Sequence, residues 1–274
     1  MSPSPRTRRG TAVPDRARLG PWLALLGTLT FVSYAIERLN IDLERLGGML
    51  GRIGSVLTQR YLPPNYEHII QSDYLQSVLE TLEMTWFATV TGLLLAVPLA
   101  WLSARNLTPS PLLLRPAARL IIIGVRAVHE MIWAIILVSL VGFGMLAGSL
   151  ALIAFCLGFA GKMFSESLES IDPGPVEALR ASGASSLQVF WFGALPQVRQ
   201  TWAGISVYTI DAVFRAATVV GFFGAGGMGW FLRQSTQLVA SHDVAAIVLS
   251  IMLVVIVSEL FSTWLRHQLD ESSA

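Results

Sequence analysis

Residues 165–198, SESLESIDPGPVEALRASGASSLQVFWFGALPQV, form a polar interruption between two apolar runs and organise the rest of the chain. Pro173 and Pro175 break the preceding helix, because proline lacks the N–H group that a helix interior requires. A helix can restart after them, turn at Gly183 and resume before Pro196. The pattern predicts two short helices that lie outside the bilayer and offer a docking surface to a partner protein.

The apolar runs around this stretch have the length of membrane-spanning helices. A helix needs about 20 mostly apolar residues to cross the hydrocarbon. The chain is 53% apolar and only 14% charged, whereas a soluble domain carries roughly 25% charged residues. A membrane barrel is excluded because its strands alternate in polarity. We therefore predict an all-α integral membrane protein with about six transmembrane helices, over residues 21–36, 78–104, 118–141, 145–163, 202–223 and 244–265.

Several other classes of protein are excluded by residues that the chain lacks. A single cysteine, Cys156, excludes a disulfide scaffold. A net charge of +1 argues against a nucleic-acid binder. The run GFAGKM of residues 158–163 is too short for a phosphate-binding loop and lacks its hydroxyl. The histidines show no metal-ligand spacing, so we predict neither a metal nor a cofactor.

Charge distribution predicts how the chain is oriented. Five arginines precede the first span and place the N-terminus in the cytoplasm, since positive residues are retained there. Alternation then places the C-terminus and the 172–197 loop inside, and an amphipathic segment outside. The expected divisions are a cytoplasmic arm (1–20), a first transmembrane helix (21–36), an extracytoplasmic amphipathic segment (37–77), a core with five transmembrane helices (78–266) and a cytoplasmic tail (267–274).

The polar stretch resembles the EAA loop of ABC-transporter permeases. The matching positions are Glu177, Ala178, Gly183, Leu195 and Pro196. Two positions depart from the family pattern, because Leu179 stands where a second alanine is usual and Gly193 where an isoleucine is usual. The resemblance implies the type I ABC importer permease fold and assigns these five residues to contact with an ATPase.

Further runs are similar to those of phosphonate-uptake permeases, namely HEMIWA (129–134), IDPGPVEALRA (171–181), FRAATVVG (214–221) and GAGGMG (224–229). This resemblance implies an importer in the bacterial inner membrane whose cargo is a phosphonate-like oxyanion. Phosphite, hypophosphite and phosphate are alternative cargoes. The implied partners are a second permease chain in a homodimer, a dimer of cytoplasmic ATP-binding subunits, an extracytoplasmic binding protein and membrane lipid, with no nucleic acid.

Among the ionisable residues inside the predicted spans, where each charge costs about 2.5–3.5 kcal/mol, five are candidates for the substrate pathway. They are Arg126, His129, Glu130, Asp211 and Arg215. In one interpretation, Arg126 with Glu130 and Asp211 with Arg215 form neutral pairs four residues apart on one helix face. In the other, some of them face the substrate pathway, since an arginine fork suits phosphorus oxygens. A remote alternative is an intramembrane enzyme that uses His129 and Glu130 as an acid–base pair.

Overall fold

A computed structural model describes residues 16–39 and 43–271 and shows no strand within them. The all-α prediction is confirmed. The chain divides into two compact units, Met1–Gln59 and Arg60–Ala274. Most of the predicted arm (1–20) and the end of the predicted tail (267–274) lie outside the described residues.

The described part of the first unit contains two α-helices. Helix α1, Arg16–Arg38, covers the predicted first span at residues 21–36. Helix α2, Leu43–Val56, accounts for part of the predicted segment 37–77 and has its apolar residues at helical spacing. Its location at the outer membrane surface stays a prediction.

The second unit is a bundle of helices. It contains α3 Tyr66–Ile70, α4 Ser72–Ser103, α5 Leu114–Ala127, α6 Glu130–Val141, α7 Met145–Glu169, α8 Pro173–Ala181, α9 Ser186–Gln188, α10 Leu195–Val220, α11 Gly227–Gln237 and α12 Ser241–Glu271. Wider π-helical turns cover Leu57–Tyr61, Val189–Ala194 and Gly221–Ala225. Helix α4 begins at Ser72, before residue 78, and the predicted bounds of the core stay a prediction.

Within the described part of the chain, four helical runs are long and apolar enough to cross a bilayer. They are α4, α7, the continuous run Ser186–Ala225 and α12. Helices α5 and α6 together provide a fifth span if the bent pair counts as one. The four runs correspond to four of the five spans predicted for the core, and the span at α1 stays a prediction.

The expectation of one continuous helix over residues 118–141 was wrong, although the bent pair that replaces it can still count as one span. Helices α5 and α6 meet at 91°. At the bend, the Met131 N–H donates to His129 Nδ1 at 3.4 Å, which caps the start of α6. The Trp133 indole N–H donates to the Val125 carbonyl at 3.1 Å, and so satisfies an acceptor that α5 leaves unpaired at its end.

Small residues allow the central helices α4 and α7 to approach closely. A Cβ atom on Gly92 of α4 would lie 2.6 Å from the Cys156 sulfur of α7, so only glycine fits there. Close approach of this kind is how helices associate in a bilayer, where hydrophobic burial contributes little. The buried α4 hydroxyls donate to carbonyls one turn earlier on their own helix, as seen for Thr81, Thr85 and Thr89.

The second unit has two distinct ends. The α8 end is where α4 and α7 finish and the run Ser186–Ala225 begins. At the opposite end, α4 supplies the cap for α11. Glu80 accepts from the Gly227 N–H at 3.2 Å, and the Thr81 hydroxyl accepts from the Met228 N–H at 3.0 Å. A carboxylate at a helix N-terminus is favourable because the exposed N–H groups carry partial positive charge.

Candidate coupling loop and charged groups in the helices

Helix α8 begins with its prolines instead of following them. The Asp172 carboxylate accepts from the Gly174 N–H at 3.0 Å and forms the N-cap. Pro173 occupies the first turn, where its missing N–H has no helical partner to lose. The two prolines therefore both end α7 and start α8. As a result α8 begins at Pro173, whereas their helix-breaking property led us to expect a helix only after them.

The predicted turn at Gly183 is confirmed, and its geometry is a Schellman motif. The Gly183 N–H donates to the Arg180 carbonyl at 3.0 Å, and the Ala184 N–H donates to the Leu179 carbonyl at 3.1 Å. Gly183 has φ +85°, a left-handed conformation that costs a residue with a side chain roughly 1–2 kcal/mol.

The second predicted short helix is not separate from the following span. Ser185 and Gln188 form a reciprocal capping box, and the helix that starts there continues to Ala225. Pro196 lies inside this run and removes one helix hydrogen bond. The wider turn at Val189–Ala194 immediately precedes it. The prediction of a second short helix outside the bilayer was therefore wrong, since this helix is the start of the span.

The five residues that match the EAA pattern lie at or near the surface. Four of them, Glu177, Ala178, Gly183 and Pro196, are exposed, and Leu195 is half-buried. Val176, beside Glu177, is 3% exposed and packs in a cluster that contains Phe190 and Trp202. One side of α8 is thus anchored in the bundle, which leaves Glu177 and Ala178 free for contact with another molecule.

The two departures from the EAA pattern compensate for each other. A Cβ atom on Gly193 would lie 2.9 Å from the Leu179 Cδ1 atom and 3.7 Å from the Val176 Cα atom. The larger Leu179 therefore fills the space that a side chain at position 193 would occupy. The contact between α8 and the wide turn is kept, because the larger side chain is on α8, at Leu179, and the smaller residue is in the turn, at Gly193.

We expect Gly193→Ile to destabilise the chain by about 1–3 kcal/mol, because it overpacks this contact. In a Leu179→Ala background the same substitution should cost much less, since the isoleucine then has room. Thermal unfolding of the wild type, both single variants and the double variant in detergent measures the coupling. Additive effects would show that the two positions do not compensate.

Polar contacts that the sequence did not indicate join α8 to the ends of the other helices. The Arg180 guanidinium donates to the Asn106 carbonyl at 2.5 Å, and the Asn106 amide donates to the Leu168 carbonyl at 2.6 Å. Gln197 exchanges two hydrogen bonds with the Asp172 backbone, at 3.0 and 3.3 Å. These side chains match no motif, so only the fold identifies them.

The predicted pair of Asp211 and Arg215 is confirmed. Arg215 Nη1 lies 2.5 Å from Asp211 Oδ2 on α10. The Asp211 side chain is 6% exposed and that of Arg215 is 41% exposed. Asp211 Oδ1 is buried and has no hydrogen-bond partner among the described residues.

The predicted pairing of Arg126 with Glu130 was wrong, because the bend between α5 and α6 separates the two residues onto different helices. Glu130 instead lies beside His129, with 3.3 Å between Glu130 Oε2 and His129 Nδ1. No ion pair or hydrogen bond among the described residues joins this group to Asp211 and Arg215. The five predicted pathway residues therefore form separate groups.

Comparison with known families identifies this architecture. The family described as "Binding-protein-dependent transport system inner membrane component" matches residues 96–272, from the second half of α4 through α12. The chain belongs to this family. It is therefore a multi-pass membrane permease, a transport component and not a catalytic enzyme.

Two relatives of the permease have names that state a cargo. The phosphite transport system permease protein PtxC of Stutzerimonas stutzeri is 37% identical over 212 residues, which are 77% of this chain and 76% of that protein. The phosphate-import permease protein PhnE of Mycolicibacterium smegmatis is 36% identical over 210 residues, which are 77% of this chain but only 39% of that longer protein.

The fold of the permease also occurs in a solved transporter. A chain of the MetNI methionine ABC transporter, in an inward-facing conformation, aligns with a TM-score of 0.62 at 20% identity. The alignment covers 72% of this chain and 96% of that chain. At this identity the match establishes the ABC importer permease fold.

Proposed function

We propose that this permease is the membrane subunit of an ATP-driven importer for a phosphorus oxyanion, with phosphonates or phosphite as cargo. The observation that carries the proposal is the 37% identity to a phosphite permease over 77% of the chain. The runs similar to phosphonate-uptake permeases support the same cargo class. Hypophosphite and phosphate remain alternatives within the class, and phosphate import is the stated function of a second relative.

The proposed assembly contains two copies of this chain, two ATP-binding subunits and an extracytoplasmic binding protein. The ATP-binding subunits would contact the α8 end. That end would then lie on the cytoplasmic side of a bacterial inner membrane. The arginines before α1 support this orientation, with both termini inside. The opposite end, with its capped α11, would then face the binding protein.

Glu177 and Ala178 are the proposed contacts with the ATPase, and Gly183, Leu195 and Pro196 position them. The support is geometric. The first two residues are exposed on a helix whose other side is anchored by Val176. Because Arg180 donates a hydrogen bond to the loop that follows α4, a movement of α8 would be transmitted directly to the end of α4.

Arg126, His129, Glu130, Asp211 and Arg215 are the proposed polar residues of the substrate pathway. An arginine fork suits the oxygens of phosphorus, and a nearby carboxylate tempers binding so that cargo can leave. Asp211 plays that role for Arg215. Membership in a family of transport components argues against the enzyme that His129 and Glu130 had suggested.

Reconstitution tests the function. Proteoliposomes that contain the permease and its ATP-binding subunit should take up radiolabelled phosphite when the binding protein and ATP are present on their proper sides. Unlabelled methylphosphonate and phosphate, added in turn as competitors, rank the alternative cargoes. The proposed cargo class would be contradicted if the vesicles take up none of these oxyanions in an ATP-dependent way although the binding protein stimulates their ATP hydrolysis.

A further inference from the structure

A cavity of about 320 Å³ lies between α5, α7 and the end of α4, towards the α8 end. Its size is at the lower limit of typical ligand sites, about 300–1,000 Å³. The polar side chains that line it are Ser103, Arg119, Arg126, Lys162, Ser165 and Glu166. Nothing in the resemblance to known permeases indicated this cavity, because its residues come from three helices and form no motif.

The cavity carries more positive charge than its carboxylates neutralise. Arg119 is held by Glu169 at 2.7 Å, and Lys162 by Glu166 at 2.5 Å. Arg126 forms no ion pair or hydrogen bond with any residue that the structure describes. One guanidinium is therefore left with its donors available in a cavity that two other cations line.

The position of Arg126 is built into the packing of α5 on α7. A Cβ atom on Gly158 would lie 2.7 Å from the Arg126 Cγ atom, so the glycine makes room for the arginine stem. One turn along, a Cβ atom on Gly161 would lie 3.5 Å from the Ile122 side chain, so α5 and α7 are close here too. The stem is thus held against α7, and this fixes where the guanidinium can reach.

Two buried hydroxyls line the same cavity. Ser103 is 1% exposed and Ser165 is 5% exposed, and the Ser103 hydroxyl donates to Ser165 Oγ at 2.8 Å. The Ser103 hydroxyl also lies 3.0 Å from the Ala100 carbonyl, which already accepts from the Ala104 N–H. When the single Ser103 hydrogen is directed to Ser165, the hydrogen of Ser165 can be donated to a ligand. A buried hydroxyl donor beside a forked cation favours an acceptor with several oxygens.

We propose that this cavity binds one tetrahedral phosphorus–oxygen group, with Arg126 as the main ligand and Lys162 and Ser165 as supporting donors. The group could belong to the free oxyanion or to the headgroup of an anionic lipid, since basic pockets between helices near the cytoplasmic surface bind such headgroups. The free-oxyanion form rests on the proposed function, whereas the lipid form needs only the orientation of the α8 end.

The test uses the complete permease–ATPase complex in two arms. In nanodiscs of phosphatidylcholine, equilibrium binding of radiolabelled phosphite measures the free oxyanion. In the second arm, native mass spectrometry after detergent extraction counts the phosphatidylglycerol molecules retained per permease chain. Arg126→Gln is the test variant. Arg199→Gln is its control, because Arg199 is exposed, lies near the α8 end and does not line the cavity.

In whichever arm the wild type binds, Arg126→Gln should weaken binding roughly tenfold to a hundredfold, the equivalent of one or two charge-assisted hydrogen bonds. The control should match the wild type. If Arg126→Gln does not assemble, Arg126→Lys keeps the charge and should still weaken binding about tenfold, because lysine lacks the fork.

Phosphite affinity that depends on Arg126 assigns the site to the free oxyanion, and lipid retention that depends on it assigns the site to a headgroup. A wild type that holds neither ligand, or Arg126 variants that hold both as the wild type does, would overturn the proposal. Phosphite uptake by a complex that binds nothing in this cavity would overturn the site alone. Binding without any uptake would overturn the proposed function alone.

Discussion

Uptake should fall to background when Gly183 is replaced by valine, while the chain still inserts and its ATPase subunit still hydrolyses ATP. Gly183 has φ +85° and donates one of the two hydrogen bonds that close α8. A β-branched residue is a severe outlier in that conformation. The strain of roughly 1–2 kcal/mol is too small to unfold a bundle, but α8 can relieve it by opening the turn and moving its exposed face.

Two further variants separate the causes of this effect. Gly183→Asn adds a side chain but tolerates a positive φ, so it keeps the turn. Nothing lies within 4 Å of a Cβ atom at position 183, so the side chain itself has room within this chain. If asparagine also abolishes uptake, the added atoms collide with a partner subunit at this position. If uptake by Gly183→Asn is normal, the loss in Gly183→Val results from the changed turn geometry.

Gly204→Val is the matched control, because Gly204 lies on α10 and a Cβ atom there also meets nothing within 4 Å. Its φ is not in the left-handed region. Uptake, ATP hydrolysis and co-purification of the ATPase are measured for each variant at equal membrane levels. Normal uptake and normal retention of the ATPase in Gly183→Val would remove α8 from the coupling role.

The bend between α5 and α6 shows a limit of reading structure from sequence. Residues 126–130, RAVHE, contain neither proline nor glycine, so no helix-breaking residue marks the break. Hydropathy continues across it because both halves are apolar. His129 acts as the N-cap of α6 through its ring nitrogen, although histidine is not among the usual capping residues. The consequence was the incorrect pairing of Arg126 with Glu130.

The turn at Gly183 was easier to predict, because glycine is the residue that most readily adopts the left-handed conformation found at the end of α8. The start of α8 was expected too late in the sequence, since Asp172 and the two prolines begin the helix as well as ending the preceding one. The relation between Leu179 and Gly193 could not be read in the same way. The two residues are far apart in the chain, and each is merely a departure from the family pattern until the fold brings them together.

Arg215→Gln should destabilise the permease by about 1–3 kcal/mol, less than the loss of a fully buried ion pair, because the Arg215 side chain is 41% exposed. The substitution leaves the Asp211 carboxylate, whose side chain is 6% exposed, without a cation beside it, since a glutamine amide can donate a hydrogen bond but carries no charge. Arg215→Lys should cost far less, because a lysine can still reach a carboxylate one turn away. Unfolding in a denaturing detergent titration measures each variant.

The reverse substitution and the double variant complete the argument. Asp211→Asn should cost less than Arg215→Gln, since the Arg215 side chain that it leaves unpaired is 41% exposed and is not enclosed by the chain as Asp211 is. The double variant Asp211→Asn/Arg215→Gln should recover much of the stability, because neutral partners replace both charges. If the double variant is stable but takes up phosphite at least tenfold more slowly, Arg215 contacts the cargo in addition to pairing with Asp211. If it is stable and transports normally, the pair serves packing alone, and the place of these two residues in the substrate pathway is lost.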